Sequence, residues 1–251
     1  MNHRLSVIMV TLNAGELLRK SLESISSIAD EIIVVDAGST DGTLMILKEI
    51  GVKLIKTNVN HLGRNKAKAL AKATGDLVLA LDSDEVASAL LVRHIRLIKK
   101  RKIIADGYII PFRNHFLGKR LRYGGENYAM LRMGRGEKLK IKQTAVHESL
   151  LVDSRNIIKL SSPILHYSYR SLRQTFKKFT EYSIWEANEK FKASEKSSLK
   201  KIFLYPVHMF WARFINDKGY RDGLFRIPLD IGFAYMEFLT YTTLAIKNRG
   251  L

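Results

Sequence analysis

Through the first ninety residues, short unbroken apolar runs alternate with longer amphipathic stretches. Leu5–Leu12 is such a run and predicts a strand; the following residues, Ala14–Ile28, place Leu17, Leu18, Leu22 and Ile25 at helical spacing. A second strand is expected over Glu31–Val35. It ends at Asp36 and opens into "AGSTDGT", whose Gly, Ser and Asp residues suit a tight turn and an N-cap for a helix over Thr43–Ile50. A short strand over Lys53–Lys56 comes next. "GRNKAKALAKATGD" then reads as a basic helix from about Arg64 to Ala73, closed by Gly75. Leu77–Leu81 is five apolar residues in a row, the pattern of a strand buried on both faces. Strands and helices alternating at this spacing imply βαβ units, an α/β class and a mainly parallel central sheet. One edge of that sheet would collect Thr11, Asn13, Asp36, Asp82 and Asp84.

Asp82 and Asp84 at the end of the buried strand change the picture most. Carboxylates at i and i+2 of an extended chain project to the same side, and the carboxyl edge of an open α/β sheet is where ligands bind. Together they would hold a hard divalent cation bridging a diphosphate. The same residues also read as a surface loop whose acids cap a helix starting near Glu85. No G-x-G-x-x-G follows the first strand and no G-x-x-x-x-G-K-[ST] occurs, which disfavours hydride transfer and P-loop chemistry. A metal held by carboxylates is the natural substitute for a glycine-rich phosphate cradle.

Beyond Glu85 the character changes. Ser88–Lys100 is amphipathic, with Leu90, Leu91, Ile95 and Ile98 on one side. "DGYIIPFRNHFLGKRLRYGG" predicts a strand and a basic loop in which Arg113, Lys119, Arg120 and Arg122 interleave with Phe112, Phe116 and Tyr123. Such alternation either stacks sugars or bases while holding phosphates or is an antiparallel strand with one wet face. Helices are expected over Ser171–Phe191, Lys200–Phe214 and Leu224–Ile246. The last two are rich in Phe, Tyr, Trp and Leu, but Arg226, Asp230 and Glu237 interrupt the longer one, so the pattern fits a docked or interfacial helix rather than a spanning one.

Composition adds bounds. The chain has 251 residues and is 46% apolar, enough for a normal core. Zero cysteines exclude disulfides, thiolate catalysis and Cys-ligated zinc. The absence of a spanning stretch and of a signal-peptide pattern leads us to expect a cytoplasmic protein. The net charge of +18 divides into +3 over residues 1–100 and +15 over residues 101–251. A field of that size recruits anionic partners, although it also serves solubility.

Taken together, "SVIMVTLN", "IIVVDAGSTDGT", "GRNKAKALAKATGD" and "LVLALDSDE" resemble the successive motifs of family-2 inverting glycosyltransferases of the GT-A fold. The resemblance implies a GT-A type nucleotide-binding sandwich, with the domain placed over residues 1–165; the helical pattern of 166–251 is expected to form an α-helical C-terminal extension whose apolar stripes serve either the core or contact with a membrane surface. The resemblance also implies a nucleotide-diphosphate sugar donor, with Thr11, Asn13 and Asp36 at the nucleoside, Arg64 near the nucleotide, and Asp82 and Asp84 at Mg²⁺ or Mn²⁺ and the diphosphate. Where many members have a second Asp, this chain has Ala37.

"TAVHESLLV", "PILHYSY" and "YRDG" are similar to segments of the subgroup that extends lipopolysaccharide or lipooligosaccharide cores. That likeness implies Glu148, beside His147, as the general base. Glu126 is the reserve, since it stands near the place of the subgroup's usual Asp, and Asp153 comes third. His166 is a candidate to complete the metal shell. The expected partners are the nucleotide-sugar donor, an anionic glycolipid acceptor and the cytoplasmic face of the inner membrane, with no nucleic acid. Transfer to a polyprenyl phosphate or to another surface polysaccharide is the runner-up; nucleotidyl transfer and plain anionic-polymer binding stand further off.

Overall fold

β1 (Leu5–Thr11) is buried along its whole length because it is packed on both faces. Leu5, Val7 and Met9 point into one apolar cluster and Ile8 and Val10 into another, the two-residue alternation of a strand at the centre of a sheet. α1 (Glu16–Ser26), β2 (Glu31–Asp36), α2 (Thr43–Ile50), β3 (Lys53–Lys56), α3 (Leu62–Leu70) and β4 (Leu77–Ala80) follow in the expected alternation. α1 and α2 supply Leu18, Leu22, Ile25, Ile46 and Leu47 to the first cluster, while α3 supplies Ala69 to the second.

The structure, a computed structural model, describes residues 3–142 and 149–250; His147 and Glu148 therefore lie outside the described residues. Its contacts divide into two units, Met1–Phe112 with Tyr128–His166, and Arg113–Asn127 with Tyr167–Leu251. In the first unit the strand order is β3-β2-β1-β4, all parallel. β5 (Glu85–Ala87) and α4 (Ala89–Lys100) come next in the chain, and then β6 (Gly107–Phe116), β7 (Lys119–Arg120) and β8 (Ala129–Arg135). The expected parallel sheet is thus one half of a mixed sheet: β8 pairs antiparallel with β4, and β6 antiparallel with β8. β9 (Leu139–Lys142) and β10 (Ser149–Val152) form a separate antiparallel pair. β11 (Ile157–Lys159) runs parallel to β6, and β12 (Ile164–Tyr169) pairs antiparallel with β5.

Two local expectations are corrected. Glu85 begins a strand rather than a helix, and the N-cap is Ser88, whose hydroxyl accepts from the Leu91 amide at 3.2 Å. Gly75 does not cap α3, which ends at Leu70; a Cβ there would sit 2.7 Å from the Ser6 amide nitrogen, so glycine is needed for close approach to β1.

That approach leads into a buried polar knot. Glu31 accepts from the Thr74 amide at 2.7 Å, the Thr74 hydroxyl at 2.9 Å and the Ser6 hydroxyl at 2.5 Å, and pairs with Lys53. Burial alone would raise its carboxyl, but the Lys53, Ser6 and Thr74 donors outweigh this and lower it from 4.5 to about 2. A depressed carboxylate contributes stability above its unfolded value and loses it as pH falls through the folded one. We expect Glu31→Gln to cost about 2 kcal/mol at neutral pH, allowing for solvent screening of Lys53. In denaturant titrations the gap to wild type should hold above pH 4.5 and close toward pH 2; a pH-independent gap would refute the linkage.

In the second unit, Arg113–Phe116 and β7 make a hairpin turned by Leu117 and Gly118, both at positive φ. α5 (Leu172–Lys192), α6 (Leu199–Trp211) and α7 (Ile227–Asn248) complete it, α7 packing against both of the others. The stretch expected to be helical over Lys200–Phe214 ends as α-helix at Trp211 and continues as a wider turn over Ala212–Asn216.

Candidate active site

β1 is flanked by β2 on one side and β4 on the other, so the chain reverses its winding between β1 and β4. In open α/β sheets ligands bind at such a switch point, in the crevice outside the carboxyl ends of the strands. Thr11, Asn13 and Asp36 end β1 and β2 there, and Asp82 and Asp84 follow β4.

On the β1/β2 side the expected nucleoside residues staple two loops together. Asp36 accepts from the Gly38 amide at 3.1 Å, the Ser39 amide at 3.0 Å and the Ser39 hydroxyl at 2.5 Å. This self-bonding folds the "AGST" turn. The Ser39 hydroxyl in turn accepts from the Asn13 amide at 2.9 Å, and the Asn13 side-chain oxygen accepts from the Thr40 amide at 2.9 Å. Asn13 takes positive φ, a conformation that Asn tolerates better than most residues. Thr11 is buried, with no hydrogen-bond partner for its hydroxyl among the described residues.

On the β4 side the acids are met by cations that the sequence does not single out. Lys66 Nζ lies 2.6 Å from Asp82 Oδ1, and Arg132 donates to Asp82 Oδ2 at 3.0 Å and to Glu85 Oε1 at 2.6 Å. Glu85 Oε2 accepts from the Asp82 amide at 2.9 Å. Burial works to raise the Asp82 carboxyl, but Lys66 and then Arg132 override it and hold the group far below the usual carboxylate range. Glu85 is shifted the other way: burial dominates, Arg132 opposes it, and Asp82 adds to it. The ionic core of the site is therefore Lys66, Asp82, Arg132 and Glu85.

Arg64, expected near the nucleotide, is exposed on the first turn of α3, and it is Lys66 that turns inward to the acids. Lys66 stands inside the quoted basic motif, whose spacing gives no sign of which cation turns inward. Arg132 comes from β8: the antiparallel register sets Met133 opposite Leu79, which puts Arg132 beside the end of β4.

Asp84 and His166 meet, with His166 Nε2 at 3.5 Å from Asp84 Oδ2. β12 delivers the histidine through its pairing with β5, His166 opposite Glu85. Tyr128 Oη is 3.4 Å from His166 Nδ1, Phe112 stacks on Tyr128 at 4.9 Å, and the Arg132 guanidinium lies 5.1 Å from the centre of the Phe112 ring. For a divalent cation, Asp84 and His166 are the fitting pair, since one or two protein ligands suffice where substrate phosphates supply the rest. Tyr128 would orient the imidazole in the manner of an outer-shell partner. Asp82, expected as a ligand, fits poorly as one because both its oxygens are engaged by cations. No cluster of three or more acidic or histidine side chains suited to a metal occurs among the described residues.

The other candidates for the base are placed differently. Asp153 is exposed just after β10. Glu126, in the second unit, is buried and paired with Arg213, so it closes a charge cluster instead of facing solvent. Its carboxyl is raised by burial against the pull of Arg213 and Arg226.

The chain is similar to known glycosyltransferases. The chain is 24% identical to an uncharacterized glycosyltransferase of Rickettsia conorii over 97% of its own length and 90% of that protein's. It is 23% identical to the lipopolysaccharide core biosynthesis glycosyltransferase LpsC of Rhizobium meliloti, covering 98% of this chain and 94% of LpsC. Among solved structures, S. aureus TarS 1–349 in complex with UDP-GlcNAc superposes at a TM-score of 0.48 and 16% identity, over 98% of this chain and 92% of that one. The model of glycosyl transferase family 2 matches residues 6–158, the stretch that contains both sides of the crevice, and the chain is accordingly a glycosyltransferase belonging to that family.

Proposed function

We propose that the protein transfers a sugar, with inversion, from a nucleoside-diphosphate sugar to a hydroxyl of a lipopolysaccharide core or a related anionic envelope glycan. The observation that carries the reading is the convergence, at one switch point, of a nucleoside-side loop pair and an acid cluster with two buried cations. In the reaction the bond from the anomeric carbon to the diphosphate oxygen breaks as the acceptor oxygen bonds to that carbon, and the acceptor's proton passes to a base. Lys66 and Arg132 hold Asp82 ionised and rigid at the site's edge, and Asp84 with His166 would hold Mg²⁺ or Mn²⁺. A metal held there would neutralise the departing diphosphate.

The acceptor class is supported by the likeness to LpsC and by the hairpin of the second unit. Arg113, Lys119, Arg120 and Arg122 are all exposed there while Phe116 and Leu121 are buried beneath them. The Arg120 guanidinium is lowered by its own partial burial and by Arg113 and Arg122 close by, a like-charge grouping that an anionic ligand relieves. A protein of this reading is stabilised against heat by a nucleoside diphosphate, more so with Mn²⁺; absence of any shift across UDP, GDP, ADP and CDP would refute it.

For the base we retain Glu148. Glu148→Gln should lower kcat by about 10²- to 10⁴-fold with the donor KM unchanged. Glu126→Gln should instead lower the melting temperature, because it weakens the Arg213 pair. The reverse pattern in steady-state kinetics and thermal melts would move the base to Glu126.

A further inference from the structure

We infer that α6 is the bilayer-docking element of this glycosyltransferase, lying in the plane of a membrane rich in anionic lipid with its outward stripe among the headgroups and upper acyl chains. Sequence alone treats the two apolar segments of the last sixty residues alike; burial separates them. α7 buries Leu229, Tyr241 and Leu244 among others, and α5 buries Phe179 and Ala187, whereas no residue of α6 is buried. Leu199, Phe203, Val207 and Trp211 recur every fourth residue and are 74%, 60%, 65% and 55% exposed. Leu204 widens the stripe, and Leu224, 78% exposed, lies beyond the turn that follows the helix. A row of large side chains this exposed has a solvation cost that a soluble surface does not otherwise carry.

Charge identifies the occupant. From Ser197 to Asn216 there is no acidic residue, and the exposed cations nearest the stripe in sequence are Lys196, Lys200, Lys218 and Arg221. Apolar and aromatic side chains flanked by Lys and Arg match an anionic interface, where the rings sit at headgroup level and the cations meet lipid phosphates. A second copy of this chain is a poor occupant, since each copy has a net charge of +18. Spanning is also ruled out as the mode: the 13 residues of α6 reach about 20 Å, short of a hydrocarbon core of about 30 Å, and among the described residues no helix is long and apolar enough to cross.

The inference deepens the proposed function by naming the surface at which an envelope acceptor is met, and it rests on that reading only for the choice of membrane. The test uses the full chain with vesicles of phosphatidylcholine alone or mixed equally with phosphatidylglycerol. In a Trp185→Phe background, the emission of Trp211 is recorded with acyl chains brominated near the headgroup. We expect co-sedimentation with the anionic vesicles only, quenching of Trp211, and at least a tenfold loss of binding in the triple variant Phe203→Ser, Val207→Ser, Trp211→Ser. Stabilisation of that variant by nucleoside diphosphate should be unchanged, which shows that it is folded. Binding without quenching, equal binding by the triple variant, or a concentration-dependent dimer that the triple variant abolishes in place of vesicle binding would each overturn the inference. Quenching in a protein that no nucleoside diphosphate stabilises would sustain the docking surface while refuting the proposed donor.

Discussion

Asp84→Ala is expected to lower kcat by about 10³-fold while leaving the melting temperature within a degree or two of wild type. The side chain is about a third exposed and its contact with His166 is 3.5 Å long, and an ion pair that open to water contributes little to the fold. Asp82→Ala should behave differently although it lies only two residues away. Its loss removes the carboxylate that lies 2.6 Å from the buried Lys66 ammonium and that also accepts from Arg132 at 3.0 Å. Breaking one side of a buried ion pair costs about 3 kcal/mol or more, so this variant should lose both turnover and stability. Thermal melts and single-turnover kinetics on the two variants make the comparison; equal stability loss in both would show that the ionic core does not have Asp82 at its centre.

Arg226→Met should be the most destabilising exchange in the second unit, by about 3–5 kcal/mol and roughly 10 °C in melting temperature. The side chain is fully buried. It donates to Asp230 at 2.8 Å, to the Tyr123 and Gly124 carbonyls at 2.8 and 2.9 Å, and to Asp222 at 3.3 Å. Asp222 in turn accepts from the Arg122 and Tyr123 amides. Methionine fills the volume but leaves two buried carboxylates and two buried carbonyls short of a donor. Gly124 records how closely the guanidinium is held: it has positive φ, and a Cβ there would overlap Arg226 Nη2. Because these bonds pin residues 122–124, the variant should also loosen the basic hairpin, visible as faster amide exchange at Arg122 and Tyr123. A melting temperature within 2 °C of wild type would refute the assignment.

Much of the first unit was legible in the chain. A strand covered on both faces must be an unbroken apolar run, and β1, β2 and β4 are such runs, so their order with the intervening helices, and the gathering of Thr11, Asn13, Asp36, Asp82 and Asp84 on one edge, follow from local pattern. The positions of Lys66, Arg132 and His166 did not follow. Lys66 lies on a helix whose other cations face water, and nothing in its spacing marks it as the inward one. Arg132 and His166 reach the acids through antiparallel pairings with strands some fifty and eighty residues earlier, and such register is set by packing that local periodicity does not encode.

The same division holds in the helical half. Composition determined by itself that the segments near residues 200 and 240 are helical, apolar and flanked by cations, because propensity and charge are properties of the residues. Only the tertiary structure decided that α7 spends its apolar side chains on the core while α6 keeps its own in solvent, and that Arg226 and Asp230 interrupt α7 as a buried pair rather than as a polar face. Burial depends on what the rest of the chain brings alongside, so two stretches with the same pattern meet different fates.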